Sequence, residues 1–133
     1  MGQSIFGRWF DTLTGAERTD AQRKLDVAPL FTPIEGLAGT AHTFDVSDLG
    51  IILMTSSASS VAVTIPNEDT QQFPEFAEFS VIQAAAGAVT FVAAAGVTIL
   101  KADASAGTTN GFLAGIMAKR VSRNVWFLEG NYI

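Results

Sequence analysis

The chain has no cysteine, one histidine, two tryptophans and one tyrosine in 133 residues. Without cysteine there is no disulfide, no thiolate nucleophile and no Cys-ligated metal. A single histidine removes multi-histidine metal sites, and His42, beside Phe44, reads as a structural residue rather than a catalytic one. Saccharide platforms favour Trp and Tyr, which join a flat apolar face to a polar edge. Here ten Phe dominate the aromatics, a composition suited to core and interface. No apolar run approaches the roughly 20 residues that span a bilayer. Arg8 and Asp11 interrupt the apolar segment that a signal peptide needs. Lysine and arginine are missing from residues 29–100, which carry Glu35, Asp45, Asp48, Glu68, Asp69, Glu75 and Glu78. Phosphate repulsion from this acidic middle disfavours nucleic acid as a partner. Residues 101–133 are basic on balance, with Lys101, Lys119, Arg120 and Arg123 against Asp103 and Glu129. The two regions are expected to meet, either within one fold or across a subunit interface.

Reactive constellations are equally scarce. Asp45 to Gly50 (DVSDLG) lacks the fifth-position oxygen donor and closing Glu of a calcium loop and reads as a turn. Asn67-Glu68-Asp69-Thr70, after Pro66, reads as a polar loop tip. Gly36 to Thr40 (GLAGT) has no lysine at phosphate-loop spacing. No carboxylate pair, metal set or cofactor motif emerges, so the chain is expected to be a binding and assembly protein, with no catalytic residue, metal or cofactor.

What the chain does have begins at its N-terminus. Ser4 to Leu13 reads SIFGRWFDTL, and Ile5, Phe6, Trp9, Phe10 and Leu13 share one face at a period of 3.6. Ser4 stands at an N-cap position. Thr14 and Glu17 form a capping box for a second helix, expected over Gly15 to Leu25 and ending before Pro29. Residues 29–42, with Leu30, Phe31, Ile34 and Leu37 among two prolines and two glycines, read as an extended linker lying on a surface. Residues 1–42 are therefore expected to be a docking arm. Its anchors would be Ile5, Phe6, Trp9, Phe10, Leu13, Leu30 and Phe31.

From Thr43 to Ile133 the pattern is β. Strands are expected over residues 50–55, 60–65, 76–83, 89–92, 97–100, 112–119 and 125–128, with Val61, Val63 and Ile65 on one face and Pro66 ending that strand. Their even spacing predicts an antiparallel β-sandwich or jelly-roll-like domain. The near-repeat AAAGAVTFV and AAAGVTIL is read as successive hairpins of a meander, each glycine supplying positive φ, since two copies are too few for a solenoid. Lys119 to Asn124 (KRVSRN) reads as a charged hairpin turn joining the last two strands. Lys119, Arg120, Arg123 and Trp126 are its subunit-interface candidates.

Several of these segments resemble a module of tailed-bacteriophage virion proteins. They are the Thr/Ile-Pro strand end VAVTIPNED, the F-x-V-x-Q strand FAEFSVIQ, the Gly-linked AG-x-VTF and GVTI pair, and the closing strand VWFLEGNYI. Ala16 to Val27 (AERTDAQRKLDV) is similar to the A-x-x-R-x-x-L-x-V linkers between fibre modules, with Asp26 where those carry Gly. The resemblance implies a homotrimeric structural protein of the virion, made in the host cytoplasm and placed on the capsid surface. It would be a decoration (cement) protein or a short head fibre, with the major capsid protein as partner and no nucleic acid or membrane. The alternative is a tail-fibre module that docks to the tail and contacts host glycan. Burying the five large arm residues contributes roughly 1.5–3 kcal/mol each. Ordering about ten residues costs roughly 1–2 kcal/mol apiece. One arm is thus expected to hold weakly, and three on one trimer tightly.

Overall fold

Pro33, which favours extended backbone before and at its own position, leads into a succession of short strands. The computed structural model describes residues 33–133, so the arm helices, Leu30 and Phe31 lie outside the described residues. The described chain is mainly β. Its strands are β1 (Ile34–Leu37), β2 (Ala41–Thr43), β3 (Ile52–Thr55), β4 (Val61–Ile65), β5 (Glu78–Gln83), β6 (Val89–Ala93), β7 (Thr98–Leu100), β8 (Gly115–Ser122) and β9 (Val125–Gly130). A 3₁₀ turn, Val46–Asp48, separates β2 from β3.

Two sheets form, a larger one in the order β1-β3-β5-β8-β9-β7 and a smaller one in the order β2-β4-β6. From β1 to β6 the chain crosses from one sheet to the other at every turn, and strands stacked in the same sheet run parallel. β1/β2, β3/β4 and β5/β6 are therefore three rungs of a flattened coil. Ile52 pairs with Ser80 and Val61 with Val89, the same offset in both sheets, so the second and third rungs superpose along their whole length. The antiparallel pairs β5–β8 and β8–β9 then extend the larger sheet, and β7 joins β9 in parallel.

The strand positions agree with the sequence pattern, but their partners do not. Five of the seven pairings are parallel, which overturns the antiparallel arrangement and the meander. Side chains alternate with a period of two in either kind of sheet, so alternation locates a strand without naming its neighbour. The AAAG segments are not hairpins. The first carries the chain from β5 to β6 in the opposite sheet, and the second carries it back to β7. Their glycines also differ. Gly96 has φ +83°, as a tight turn requires, whereas Gly87 is needed for close approach, because a Cβ there would lie 1.9 Å from the Ser59 carbonyl oxygen. The linker boundary is corrected as well. β1 and the first two residues of β2 fall inside residues 29–42, and the compact β unit begins at Pro33 rather than Thr43.

Alternation puts Leu53, Phe79, Val81, Ile116, Ala118, Trp126 and Leu128 of the larger sheet against Val61, Val63, Ile65, Val89 and Phe91 of the smaller. The expected stripe of β4 thus does face the core. Aromatic rings cross it. Phe79 stacks on Phe44 at 4.3 Å and on Trp126 at 5.1 Å, with Phe73 edge-on to Phe79 and Trp126. Each such pair adds about 0.5–1.5 kcal/mol beyond burial. At the opposite end of the core the buried polar residues Thr55, Gln83 and Thr109 are hydrogen-bonded, Thr55 Oγ1 accepting from Ala84 N. The Thr109 hydroxyl donates to Gln83 Oε1 and accepts from Val89 N, while Gln83 Nε2 donates to the Ala85 carbonyl.

Gly87→Ala is expected to destabilise the β unit by about 2 kcal/mol or more, since backbone would have to move to admit a methyl group. Gly36→Ala, with open space around its Cα, should stay within about 0.5 kcal/mol. Urea unfolding monitored at Trp fluorescence measures both.

Candidate functional site

Four loops gather at one end of the strands, and charge organises them. The segment after β4 turns sharply because Asn67 accepts from Asp69 N through its side chain and from Thr70 N through its carbonyl. This drives Glu68 under the β8–β9 hairpin. Its carboxylate accepts from Arg120 Nε at 3.0 Å and from the backbone N–H groups of Asn124 and Phe73, while Glu68 N donates to Asn124 Oδ1 at 2.8 Å. Glu68 and Arg120 side chains are only 2% and 14% exposed, so this is a largely buried ion pair in which both carboxylate oxygens accept hydrogen bonds. Around it, Lys119 pairs with Glu78 at 2.8 Å and Arg123 with Asp69, both partly or largely exposed.

The acidic middle and the basic end therefore meet within one chain. Lys119, Arg120 and Arg123 each have an intrachain carboxylate, and Glu68 is an anchor rather than part of a loop tip. Trp126 is corrected as an interface candidate. It is fully buried between Phe73 and Phe79 and offers no surface to another subunit. The last two strands are joined by a hairpin as expected, but β8 runs on through Ser122, so the turn is Arg123-Asn124 alone, with Asn124 at φ +59° and a bulge between Arg120 and Ser122. The arm residues Ile5, Phe6, Trp9, Phe10, Leu13, Leu30 and Phe31 lie outside the described residues.

Beside the ion pairs stands a residue that sequence reasoning missed. Phe76 is 71% exposed and sits at φ +60°. A bulky side chain in that region of backbone space costs of the order of 1–3 kcal/mol. Lys119 Nζ lies 6.0 Å from its ring centroid, and Phe76, exposed Val121, Glu75 and Arg123 surround a shallow depression. No motif marks it, because an aromatic next to Pro74-Glu75 reads equally well as the start of a strand.

His42 and the Asp45 turn resolve into a cap. Asp45 accepts from Ser47 N and Oγ, and Asp48 Oδ2 accepts from Asp45 N at 2.9 Å and lies 2.9 Å from His42 Nε2. His42 also meets Phe44 edge-on. Among the described residues no group of three or more His, Asp or Glu could hold a metal ion, and no helix is long and apolar enough to cross a membrane.

The second surface is the outer face of the larger sheet. Alternation turns Ile52, Met54, Ile82, Met117 and Phe127 away from the core, interrupted by the small residues Ser80, Gly36 and Gly115. A groove of about 220 Å³ runs over Gly115 between Ile52, Ile82 and Met117, with Glu129 at one side. The sequence did carry this signal. In GIILMT and GIMA both parities are apolar, the mark of a strand covered on two sides. By contrast the smaller sheet turns Ala62, Thr64, Thr90 and Val92 outward.

Arg120→Ala is expected to cost about 3–5 kcal/mol, because it leaves the Glu68 carboxylate buried without its counter-ion. Lys119→Ala and Arg123→Ala should each cost less than about 1 kcal/mol; denaturant midpoints of the three variants compare them. The hydrogen bonds from Ser47 hold the Asp45 carboxyl below the ordinary aspartate range. A folded-state value below the unfolded one contributes stability above that range, which is lost as pH falls through it. Ser47→Ala should move the Asp45 midpoint up, read by carboxyl ¹³C shifts during an acid titration. The chain matches no family model, and no curated protein or solved structure shows significant similarity to it.

Proposed function

We propose that this chain is a structural virion protein, a capsid decoration (cement) or short head-fibre protein of a tailed bacteriophage. It would bind the outside of the shell as an oligomer, with the homotrimer as the arrangement implied by the resemblance. The observation that supports this reading best is the division of labour between charge and apolar surface. The β unit pairs Lys119, Arg120 and Arg123 internally and turns an apolar sheet face outward. Ahead of it the sequence places five large apolar residues on one helical face. Such surfaces serve assembly. The segments that carry the resemblance to virion modules coincide with β4 and its following loop, β5, β6, β7 and β9.

In this reading the two sheets make a sandwich whose stacked rungs stand outward, while Ile5, Phe6, Trp9, Phe10 and Leu13 grip the shell. Leu30 and Phe31 would extend that grip. A single arm gains little beyond its ordering entropy, and several arms on one oligomer raise one another's effective concentration.

Trp9→Asp in the full chain, and deletion of residues 1–28, should each leave the β-unit circular dichroism and unfolding transition intact. Both should reduce occupancy on purified phage heads at least tenfold, since avidity multiplies the weakening of every arm. Binding of either variant at wild-type occupancy overturns the docking role. Binding to tails rather than heads in labelled electron micrographs would assign the tail-fibre alternative instead.

A further inference from the structure

We infer that Asn110 is a self-modification site, at which the folded chain converts this asparagine to isoaspartate and aspartate without an enzyme. The inference is independent of the proposed function. It concerns the end of the β unit away from the ion pairs.

The conversion needs a following residue small enough to leave its nitrogen open, and a peptide unit free to rotate. The chain has four asparagines, Asn67, Asn110, Asn124 and Asn131, and only Asn110 precedes a glycine. Gly111 has no Cβ to shield its nitrogen. Nothing beyond its chain neighbours lies within 4 Å of where a Cβ would stand. Both residues are exposed. Among the described residues neither the Asn110 carbonyl nor the Gly111 N–H makes a hydrogen bond, so water alone satisfies the peptide between them. The Asn110 side chain has one long contact there, Nδ2 donating to Asn131 Oδ1 at 3.3 Å.

The other three asparagines are held. Asn67 Nδ2 donates to the Ala95 carbonyl at 2.9 Å and its Oδ1 accepts from Asp69 N at 2.8 Å. The nitrogen that would attack it, Glu68 N, donates to Asn124 Oδ1. That bond also restrains Asn124, whose successor is the β-branched Val125. Asn131 is followed by Tyr132, and its carbonyl accepts from Asn110 N at 3.1 Å.

In the reaction Gly111 N gives up its proton to solvent base and bonds to Asn110 Cγ. The side-chain nitrogen leaves as ammonia, taking a proton from water, and a five-membered succinimide remains. Water opens this ring. Attack at the backbone carbonyl gives isoaspartate, with the main chain rerouted through Cγ, and attack at Cγ gives aspartate. One water is consumed and one ammonia released, with no oxidant or cofactor.

The neighbourhood makes the change consequential. Thr109 and Leu113 both fasten this loop to β5, the Thr109 hydroxyl donating to Gln83 Oε1 and Leu113 N to the Gln83 carbonyl at 2.7 Å. Isoaspartate inserts an extra backbone carbon between those two anchors and so loosens the neutral network. The rung turns at this end, residues 38–40, 56–60 and 84–88, carry no charged side chain. Either product sets a new carboxylate beside exposed Phe112 and Leu113.

The full-length protein is incubated folded and in urea, at neutral and at mildly alkaline pH. Peptide mapping by mass spectrometry follows each asparagine, and an isoaspartyl methyltransferase with labelled methyl donor counts isoaspartate. Asn110 should convert in the folded chain, faster at the higher pH, while Asn67, Asn124 and Asn131 stay intact. The urea midpoint of the converted chain should fall. Asn110→Gln, whose longer side chain closes a ring far more slowly, should lose the methyl label and keep its midpoint over the same period. Asn110→Asp carries the charge without the extra backbone atom, so its midpoint should lie above that of the isoaspartate form.

An Asn110 that survives in the folded chain while the urea-unfolded chain converts overturns the inference, because the fold then protects the site. Conversion of any other asparagine at the rate of Asn110 in the folded chain overturns its geometric basis. An isoaspartate-bearing chain with an unchanged midpoint overturns the loosening. The comparison of folded with unfolded wild type needs no variant.

Discussion

Everything in the β unit converges on the ring of Phe79. It lies on β5, in the third rung, and touches Phe44 from the turn after β2, Phe73 from the loop after β4 and Trp126 from β9. Those three residues come from parts of the chain that do not hydrogen-bond to one another in a sheet. A coil of short rungs has little to fix one rung above the next except register and side-chain stacking, because each strand is only three to six residues long before the chain leaves for the opposite sheet. The aromatic column supplies that fixation with rigid, large surfaces. Phe44, Phe73 and Phe79 supply three of its four rings, and Trp126 carries its indole N–H into the interior without a hydrogen-bond partner among the described residues.

The ends of the coil pose the opposite problem, since turns expose backbone polar groups. One end answers with a neutral network of Thr55, Gln83 and Thr109, which follows the larger sheet round to the loop before β8. The other answers with charge. Glu68 reaches beneath the hairpin and satisfies two backbone N–H groups as well as Arg120. A buried ion pair gives little net stability over apolar residues of the same shape. Its effect here is on geometry, because it ties the loop after β4 to the last hairpin and so holds the third rung between them.

The positions of the strands were legible from local pattern. Val61, Val63 and Ile65 alternate ahead of Pro66 and VWFL follows a polar segment, so β4 and β9 follow directly, whereas β8 continues through Ser122 into residues whose charge reads as a turn. Pairing was not legible, because Gly87 and Gly96 look alike in sequence while one relieves a backbone contact and the other a left-handed turn. β1 and β2 were hidden by their brevity and by Gly36, Gly39 and Pro33, which read as linker chemistry although the segment completes a rung. At the candidate site, charge sign along the chain anticipated that an acidic middle and a basic end would meet, within one fold or across a subunit interface, but not that Glu78, Glu68 and Asp69 are the intrachain partners of Lys119, Arg120 and Arg123. Burial of Trp126 could not be told from exposure, since VWFL is apolar at both parities. The strained exposure of Phe76 depends on how Ala77 hydrogen-bonds to Arg120 N, a long-range contact with no local trace.

These features together separate two uses of surface within a small domain. Charged side chains at the hairpin end are consumed by folding, so they are poorly placed to attract a partner from a distance, and association of this unit should depend weakly on salt. The apolar residues that a parallel-rich sheet requires on its inner side recur on its outer side, where folding does not need them. A strand such as Ile52–Thr55 could have carried Thr or Ser at positions 52 and 54 without loss to the core, as β4 carries Ala62 and Thr64. Apolar side chains there are only half-buried in the single chain, and their remaining hydration favours contact with another surface. The same asymmetry between the two sheets gives the unit a direction, with one face chemically suited to water and the other to contact.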